Sequence, residues 1–297
     1  MSEPNLSPAL AAELPPSAGR ARRWRPEMAP TEAFSFAFVA LLVCGAVFAD
    51  HIPGLVRPNF PYGDFSRPPS WTLNGLLGTD ALGRSVLSRI LHGARATLTI
   101  VGVATAISLS IGMFLGMIAG FYRSIIERAV DLFANTVASL PPILVILALV
   151  TATGPSVTTM TLALGFLEIG TYARIAKGGV IAQNDRDYVL AARALGASDR
   201  RILLREILPN LFPTLAALVP PLMAGLIITE GSLSFLGYGI AAPAPSWGGM
   251  IADSTDLLSR FPLLILGPIL AIVLTVYALN TIGDYLARRI DTRERQL

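Results

Sequence analysis

The stretch DYVLAARALGASDRRILLREILPNLFP, residues 187–213, is polar and charged although it lies between two long apolar segments. Four apolar residues of its first part share the i, i+3, i+4, i+7 spacing of one helix face: Tyr188, Ala191, Ala192 and Leu195. Gly196 follows them directly, and glycine at this position is typical of a left-handed residue that ends a helix. The stretch is therefore predicted to begin with a short amphipathic helix that stops at Gly196.

A second short helix is predicted directly after this glycine. Ser198 or Asp199 can cap its first turn, and Pro209 is predicted to end it, because proline lacks the N–H that a helix interior needs. An exposed pair of helices between two membrane segments is well suited to insertion into a groove of a partner protein. The alternative is an ordinary amphipathic hairpin on the surface of a membrane protein.

Composition indicates the class of protein. Of 297 residues, 53% are hydrophobic and only 14% are charged, whereas soluble domains carry about 25% charged residues. We therefore predict an all-α, polytopic membrane protein. The single cysteine, Cys44, excludes an internal disulfide, and no Cys or His spacing predicts a metal site. The only lysine, Lys177, is not part of a Gly-Lys-Ser/Thr phosphate loop, so this chain is not expected to hydrolyse ATP by that mechanism. No convergent Ser/His, metal or paired-carboxylate constellation predicts an enzyme, and we expect no bound cofactor and no nucleic-acid partner.

Six apolar segments are predicted to cross the membrane, at about 33–49, 96–121, 129–152, 157–176, 214–230 and 263–283. Residues 1–32 are predicted to be a disordered cytoplasmic tail, residues 33–95 the first span with an outward loop, and residues 96–290 the main transmembrane domain, with a cytoplasmic loop at 178–213. A cleaved signal peptide is the alternative to the first span, but the long tail before it favours an uncleaved helix.

Prolines and one acidic residue are candidates for lining a translocation pathway. Pro141 and Pro142 interrupt the third span, and Pro220 and Pro221 lie in the middle of the fifth. Such kinks either line a transport pathway or pack passively on neighbouring helices. Glu168 lies well inside the fourth span, so it should face the bundle or a water-filled cavity. It either stays protonated or pairs with another subunit, or it lines the pathway and meets the substrate.

Two further patterns concern helix packing and membrane depth. The second span carries a glycine at every fourth position, which predicts close helix packing along one stripe: Gly112, Gly116 and Gly120. Three other acidic residues lie near span ends and are predicted to be interfacial: Asp131, Glu230 and Asp284.

Arginine and lysine counts predict the orientation. With the N-terminus inside, 17 of the 23 basic residues fall on the cytoplasmic side, and the opposite orientation leaves six there. The positive-inside rule therefore predicts cytoplasmic N- and C-termini. It also places the loop at 178–213 in the cytoplasm.

The cytoplasmic loop resembles the "EAA…G…I-LP" loop of ABC importer permeases. The matching residues are Leu190, Ala191, Ala192, Gly196, Leu208 and Pro209. Leu190 stands where that family usually has Glu, and the isoleucine falls one place late. In that family the loop is the coupling helix that docks on the ATP-hydrolysing subunit, so the resemblance implies this role for the loop, including Tyr188, Ser198 and Asp199.

The outward loops carry two further resemblances. Residues 77–84, LGTDALGR, resemble the "LGTDxLGRD" signature of peptide and nickel permeases, with Ser85 in place of the last Asp. Without the resemblance, these residues predict a glycine turn followed by a helix that Asp80 caps. Residues 232–237 (SLSFLG) and 243–248 (PAPSWG) also look like this family. Trp247 is predicted to lie in an interfacial turn at headgroup level.

These resemblances imply a type I ABC importer permease fold in the cell membrane. They imply a second homologous permease subunit, two ABC ATPase subunits that use the ATP, an extracytoplasmic substrate-binding protein and surrounding lipid. Peptides are favoured over nickel, because no Met, His or Cys cluster lines the spans. A gradient-driven secondary transporter is the alternative from another class, but it would show internal repeats and ionisable residues at mid-membrane.

Overall fold

The computed structural model describes residues 28–123 and 125–294. Their helices are α1 (Pro30–Phe48), α2 (Val86–Tyr122), α3 (Ile125–Ser139), α4 (Pro142–Thr153), α5 (Val157–Asn184), α6 (Asp187–Ala194), α7 (Asp199–Phe235), α8 (Trp247–Ser254) and α9 (Leu263–Glu294). The described part of the chain contains no β-strand longer than an isolated bridge. The all-α prediction is confirmed.

Four helices are long and apolar enough to cross a membrane by themselves: α1, α2, α7 and α9. The pair α3 and α4 meets the same criteria as one broken span, with a bend of 82°. The helix α5 has 28 residues, roughly 42 Å at 1.5 Å per residue, but it is more polar because it carries Glu168, Arg174 and Lys177. That α5 crosses the membrane as one of six spans stays a prediction.

The two proline pairs behave differently. The chain breaks sharply at Pro141 and Pro142, and Pro142 begins α4, the first helical position that suits proline because no N–H is needed there. The predicted kink is therefore confirmed. By contrast, Pro220 and Pro221 lie inside α7 without ending it.

The glycine stripe of α2 packs closely against α5, as predicted. A Cβ added at Gly112 would lie 2.6 Å from the carbonyl oxygen of Ile169 and 2.7 Å from the Cβ of Tyr172. The carbonyl oxygen of Ala173 similarly blocks a Cβ at Gly116. These glycines let two long backbones meet, so α2 and α5 form the central pair of the bundle.

The start of α1 differs from the prediction. Residues 1–27 of the predicted tail lie outside the described residues, but the helix already begins at Pro30. Glu32 is buried, accepts a hydrogen bond from the backbone N–H of Ala29 at 2.9 Å, and pairs with Arg288 of α9. Because this acid is part of the helix bundle, residues 30–32 do not belong to a disordered tail.

Trp247 lies in the protein interior and not in an exposed turn. Its side chain is fully buried, and its Nε1 donates a hydrogen bond to the backbone oxygen of Ile90 at 3.0 Å. Ser246 caps α8 by accepting from the backbone N–H of Gly249 at 3.1 Å. The helix that begins there directs the indole into the core against α2, so the prediction of a headgroup-level turn was wrong.

Glu230 also lies in the protein interior and not at an exposed span end. It is fully buried between α7 and α2, where its carboxylate accepts hydrogen bonds from Thr97 Oγ1 at 2.9 Å and from Ser234 Oγ at 2.7 Å. Two hydroxyl donors satisfy the oxygens and offset the cost of burying the acid. The first of these donors comes from a helix far away in sequence, which explains why sequence position alone misplaced Glu230.

Candidate coupling segment and translocation cavity

The segment that contains the predicted coupling motif up to the residue before Leu208 and Pro209, Asp187–Ile207, is called the docking segment below. Its inner side is anchored by three fully buried residues: Val189, Ile202 and Ile207. They pack in one apolar cluster with Met117 and Phe121 at the end of α2 and with Val180 near the end of α5. The docking segment is therefore fixed to the C-terminal ends of the two central helices.

Its outer side is exposed and largely apolar. Leu195 is 88% exposed, Leu190 is 48% exposed and Tyr188 is 37% exposed. Ala191 is exposed as well, whereas Ala192 is half-buried against the anchoring cluster. The predicted apolar face thus points mostly away from the protein. The inward anchor, Val189, was missed by the sequence analysis, although its i, i+3 spacing to Ala192 marks the inner face.

The turn after α6 is the left-handed helix stop that the sequence predicts. Gly196 has φ +75°. Its N–H donates to the carbonyl oxygen of Arg193 at 2.9 Å, and the N–H of Ala197 donates to that of Ala192 at 3.0 Å. This pair of bonds is the Schellman motif. A Cβ at Gly196 would meet nothing within 4 Å, so the backbone conformation alone requires glycine.

The second helix of the docking segment differs from the prediction. Ser198 stands at the N-cap position, but its side chain makes no capping hydrogen bond, and Asp199 lies in the first turn. Pro209 does not end the helix. A π-helical turn, Ile202–Ile207, precedes it, and the N–H of Leu208 donates to the carbonyl oxygen of Leu203, five residues back. The wider turn shifts the hydrogen-bond register before the proline, so α7 continues into the bundle.

Polar contacts position the edges of the docking segment. Tyr188 donates from its hydroxyl to Gln183 Oε1 at 2.9 Å, and partial desolvation raises the pKa of Tyr188 above its ordinary value. Arg193 donates to Asn184 Oδ1 at 2.6 Å and lies 5.3 Å from the centre of the Phe121 ring. The second helix presents exposed basic side chains to solvent: Arg200, Arg201 and Arg205. The apolar outer side is thus flanked by positive charge.

A cavity of about 150 Å³ lies between the broken span α3–α4, α5 and α7. Its lining includes Pro142, Glu168, Thr171, Arg174, Leu226 and Thr229. The Oε2 atom of Glu168 is buried and has no hydrogen-bond partner. The structure therefore brings two of the predicted pathway residues, Pro142 and Glu168, to one cavity.

The other predicted pathway residues lie elsewhere. Pro141, Pro220 and Pro221 are not among the residues that line this cavity. Pro221 faces α9, because a Cβ at Gly283 would lie 2.6 Å from its Cδ. Pro221 thus packs on a neighbouring helix instead of lining the cavity.

Four charged residues at the N-terminal end of α2 connect the loop between α1 and α2 with helix α8. They are called the loop latch below: Asp80, Arg84, Arg89 and Asp253. Asp80 accepts from the backbone N–H groups of Leu82 and Arg84, each at 2.9 Å, and from Arg84 Nε at 2.7 Å. Arg89 Nε lies 3.4 Å from Asp80, and both arginines lie 3.9 Å from Asp253 of α8. Asp80 therefore organises a loop and does not cap α2.

The cap of α2 is Ser85. Its Oγ accepts from the backbone N–H of Ser88 at 3.4 Å and donates to the carbonyl oxygen of Asn74 at 2.6 Å. The helix accordingly begins at Val86, ahead of the predicted start of the second span at Ala96. The prediction that Asp80 caps the helix was wrong because the carboxylate is already used by the turn and by two arginines.

Comparisons with known proteins show the family of this chain. Residues 112–296 match the family described as "Binding-protein-dependent transport system inner membrane component". The chain is 34% identical over 261 residues to the di/tripeptide transport system permease protein DppC of Pseudomonas aeruginosa (strain UCBPP-PA14), covering 86% of each chain. It is 33% identical over 260 residues to the glutathione transport system permease protein GsiD of Pectobacterium atrosepticum, covering 86% of this chain and 85% of the relative. This chain therefore belongs to the inner membrane components of binding-protein-dependent transport systems, as a permease of the dipeptide/oligopeptide family of ABC importers.

Proposed function

We propose that this chain is a non-catalytic permease subunit through which di- or oligopeptides enter the cell. It works with a second homologous permease subunit, two ABC ATPase subunits and an extracytoplasmic substrate-binding protein. Relatives named for di/tripeptide and glutathione transport support a peptide substrate. The lack of a phosphate-binding loop in the sequence supports ATP hydrolysis by the partners alone.

The observation that carries the proposal is that the docking segment has one exposed apolar side and one buried side. Its outer side exposes Leu195, Leu190 and Tyr188, while its inner side is held by Val189 and Ile202. An exposed apolar side on a firmly anchored helix suits docking into a groove of an ATPase subunit. With Leu190 in the place of the usual Glu, this position makes an apolar contact instead of a charged one.

The anchor also supplies a route for movement. When ATP draws the two ATPases together, a shift of α6 passes through the cluster around Val189 to α2 and α5. The helix α5 carries Glu168 into the cavity beside the broken span. Movement at the docking segment therefore reaches the cavity through one continuous helix, as alternating access requires.

Orientation follows from the positive-inside rule, which supports cytoplasmic termini and a cytoplasmic docking segment. Reporters placed near Gln183 and after Leu297 are expected to report cytoplasm. Reporters near Asn59 and Asp253 are expected to report the outside. A single extracellular result at Gln183 would remove the docking argument.

The coupling role is tested with Gly196→Val. The left-handed backbone at Gly196 strains a branched residue by about 1–3 kcal/mol, although nothing crowds the new side chain. We expect normal membrane levels but lost or strongly reduced ATP-driven uptake of a labelled dipeptide in the assembled transporter. Normal uptake by this variant would exclude the docking segment as the coupling element.

The matched control is Gly178→Val. Gly178 also has nothing within 4 Å of an added Cβ, but it lies in regular helix α5 near the same end of the bundle. We expect this variant to transport at nearly the wild-type rate.

ATP-dependent uptake of nickel without any uptake of peptide would reject the peptide substrate and keep the importer role.

A further inference from the structure

The cavity beside the broken span carries charge of both signs. Glu168 and Arg174 both line it, and both belong to α5, where six residues correspond to roughly 9 Å along the helix axis. Within the described residues, these two side chains form no ion pair with each other. A separated acid and base that line one cavity match a ligand that itself carries two opposite charges some distance apart.

Glu168 has unused acceptor capacity. Its Oε2 is buried without a hydrogen-bond partner, a costly arrangement for a carboxylate inside a protein. Glu230 of α7 shows the contrast, because its carboxylate accepts hydrogen bonds from Thr97 and Ser234. Both carboxylate oxygens of Glu230 have donors from this chain, whereas Glu168 lines a cavity with one buried oxygen that has no donor.

The size and remaining lining of the cavity limit the ligand. At about 150 Å³ it is smaller than the roughly 300–1,000 Å³ of pockets for drug-sized molecules. An extended dipeptide backbone spans about 7 Å, which is comparable with the spacing of the two charges. Thr171 and Thr229 add hydroxyl groups to the lining, and Leu226 supplies an apolar wall.

We propose that this cavity is a subsite for a short zwitterionic peptide during translocation, where Glu168 accepts from the α-ammonium group and Arg174 donates to the terminal carboxylate. The proposal rests on the peptide import proposed above. It makes Glu168 and Arg174 specificity-determining residues that act after the binding protein has delivered the substrate.

The test measures binding at the cavity without the binding protein. Thr229→Cys is introduced in a Cys44→Ser background, since Cys44 is the only cysteine of this chain. The assembled transporter is labelled with a small methanethiosulfonate in nucleotide-free and vanadate-trapped states, and labelling is measured on this chain after the subunits are separated. Alanyl-alanine at about ten times its dissociation constant is expected to slow labelling roughly tenfold by occupancy. N-acetyl-alanyl-alanine and alanyl-alanine amide should protect much less.

Matched variants test the proposed roles of Glu168 and Arg174 separately. Glu168→Gln should weaken protection by alanyl-alanine roughly tenfold, because hydrogen bonds to charged groups are the stronger ones, while leaving the weak protection by N-acetyl-alanyl-alanine unchanged. Arg174→Gln should remove the difference between the free carboxylate and the amide. Glu230→Gln, which alters a buried glutamate outside the cavity, should leave protection as in the parent.

Three results would overturn the subsite. They are equal protection by free and acetylated peptide, unaltered protection in Glu168→Gln, and an introduced thiol in Thr229→Cys that stays unlabelled in every nucleotide state. Uptake measured in parallel separates this proposal from the proposed function. ATP-dependent uptake of alanyl-alanine without protection rejects only the subsite, whereas absence of any such uptake rejects peptide import itself.

Discussion

The docking segment and the loop latch lie at opposite ends of α2, and they use their motif residues in opposite ways. The loop latch uses its charges internally, since Asp80 accepts three hydrogen bonds from its own loop and lies near the almost fully buried Arg89. The docking segment leaves Leu195 and Tyr188 exposed to solvent. One motif shapes this chain, and the other leaves apolar side chains at the surface, where the proposed function places a partner.

Glycines show the same contrast. Gly83 and Gly196 share a positive φ of +75°, but a Cβ at Gly83 would overlap the carbonyl oxygen of Gly63, whereas a Cβ at Gly196 would meet nothing within 4 Å. Gly83 is required by backbone conformation and by packing together. Gly196 is required by conformation alone, which leaves the surface around the turn open.

The largest expected effect is that of Asp80→Asn. The change removes the negative charge that neutralises Arg84 and Arg89, whose side chains are only 10% and 4% exposed. Breaking a buried pair from one side typically costs about 3–5 kcal/mol. We expect a clear fall in the thermal unfolding temperature of the purified transporter and faster proteolysis of the α1–α2 loop.

Asp64→Asn is the control for this change. Asp64 pairs with Arg67 in the same loop at 3.1 Å, but the side chains are 80% and 59% exposed, and such surface pairs contribute about 0–1 kcal/mol. Stability should therefore barely change. Equal losses for both variants would show that the loop latch is no more important than a surface ion pair.

The second effect concerns Gly83→Ala in the loop latch. Backbone strain and the overlap with the oxygen of Gly63 act together, so we expect a loss of about 2–4 kcal/mol. Gly54→Ala is the control, because Gly54 has φ +81° in the same loop and open space around its Cβ. Conformation alone should cost about 1 kcal/mol there. Differential scanning calorimetry of the two variants compares their losses of unfolding free energy. Identical losses would mean that packing adds nothing at Gly83.

Features that depend on local interactions could be predicted from the sequence, whereas features that depend on contacts between distant residues could not. The stop at Gly196 and the break at Pro142 follow from backbone preferences of single residues, and both were predicted. The continuation of α7 through Pro209 depends on a π turn that hydrophobic periodicity does not reveal. The burial of Trp247 and Glu230 depends on Ile90 and Thr97 of α2, which lie far away in sequence.

The candidate site shows the same difference between local and long-range determinants. Spacing predicted which residues of the docking segment form an apolar side, but it did not say that this side faces away from the protein. The burial of Val189 and the exposure of Leu195 settle that question. Likewise, Glu168 stood out as an acid within a span, whereas its meeting with Pro142 depends on the 82° bend between α3 and α4.

The smallest effect on stability, and the most informative about partners, is expected for Leu195→Ser. With 88% of its surface exposed, Leu195 contributes little to the fold, so the unfolding free energy should change by less than about 0.5 kcal/mol. If the docking segment inserts into an ATPase groove, losing an apolar anchor should weaken assembly with the ATPase subunits roughly tenfold. Titration of the purified ATPase against the permease in nanodiscs measures this affinity.

Leu82→Ser supplies the comparison from the other end of α2. Leu82 is also an exposed leucine, at 57% exposure, but it belongs to the loop beside the loop latch. Its replacement should leave ATPase affinity unchanged, because the proposed orientation places it across the membrane from the ATPases. If both substitutions weaken assembly equally, the effect reflects general loss of apolar surface and not docking. If only Leu195→Ser weakens it, the exposed side of the docking segment is the contact surface, and the two ends of α2 have the separate roles that their burial patterns indicate.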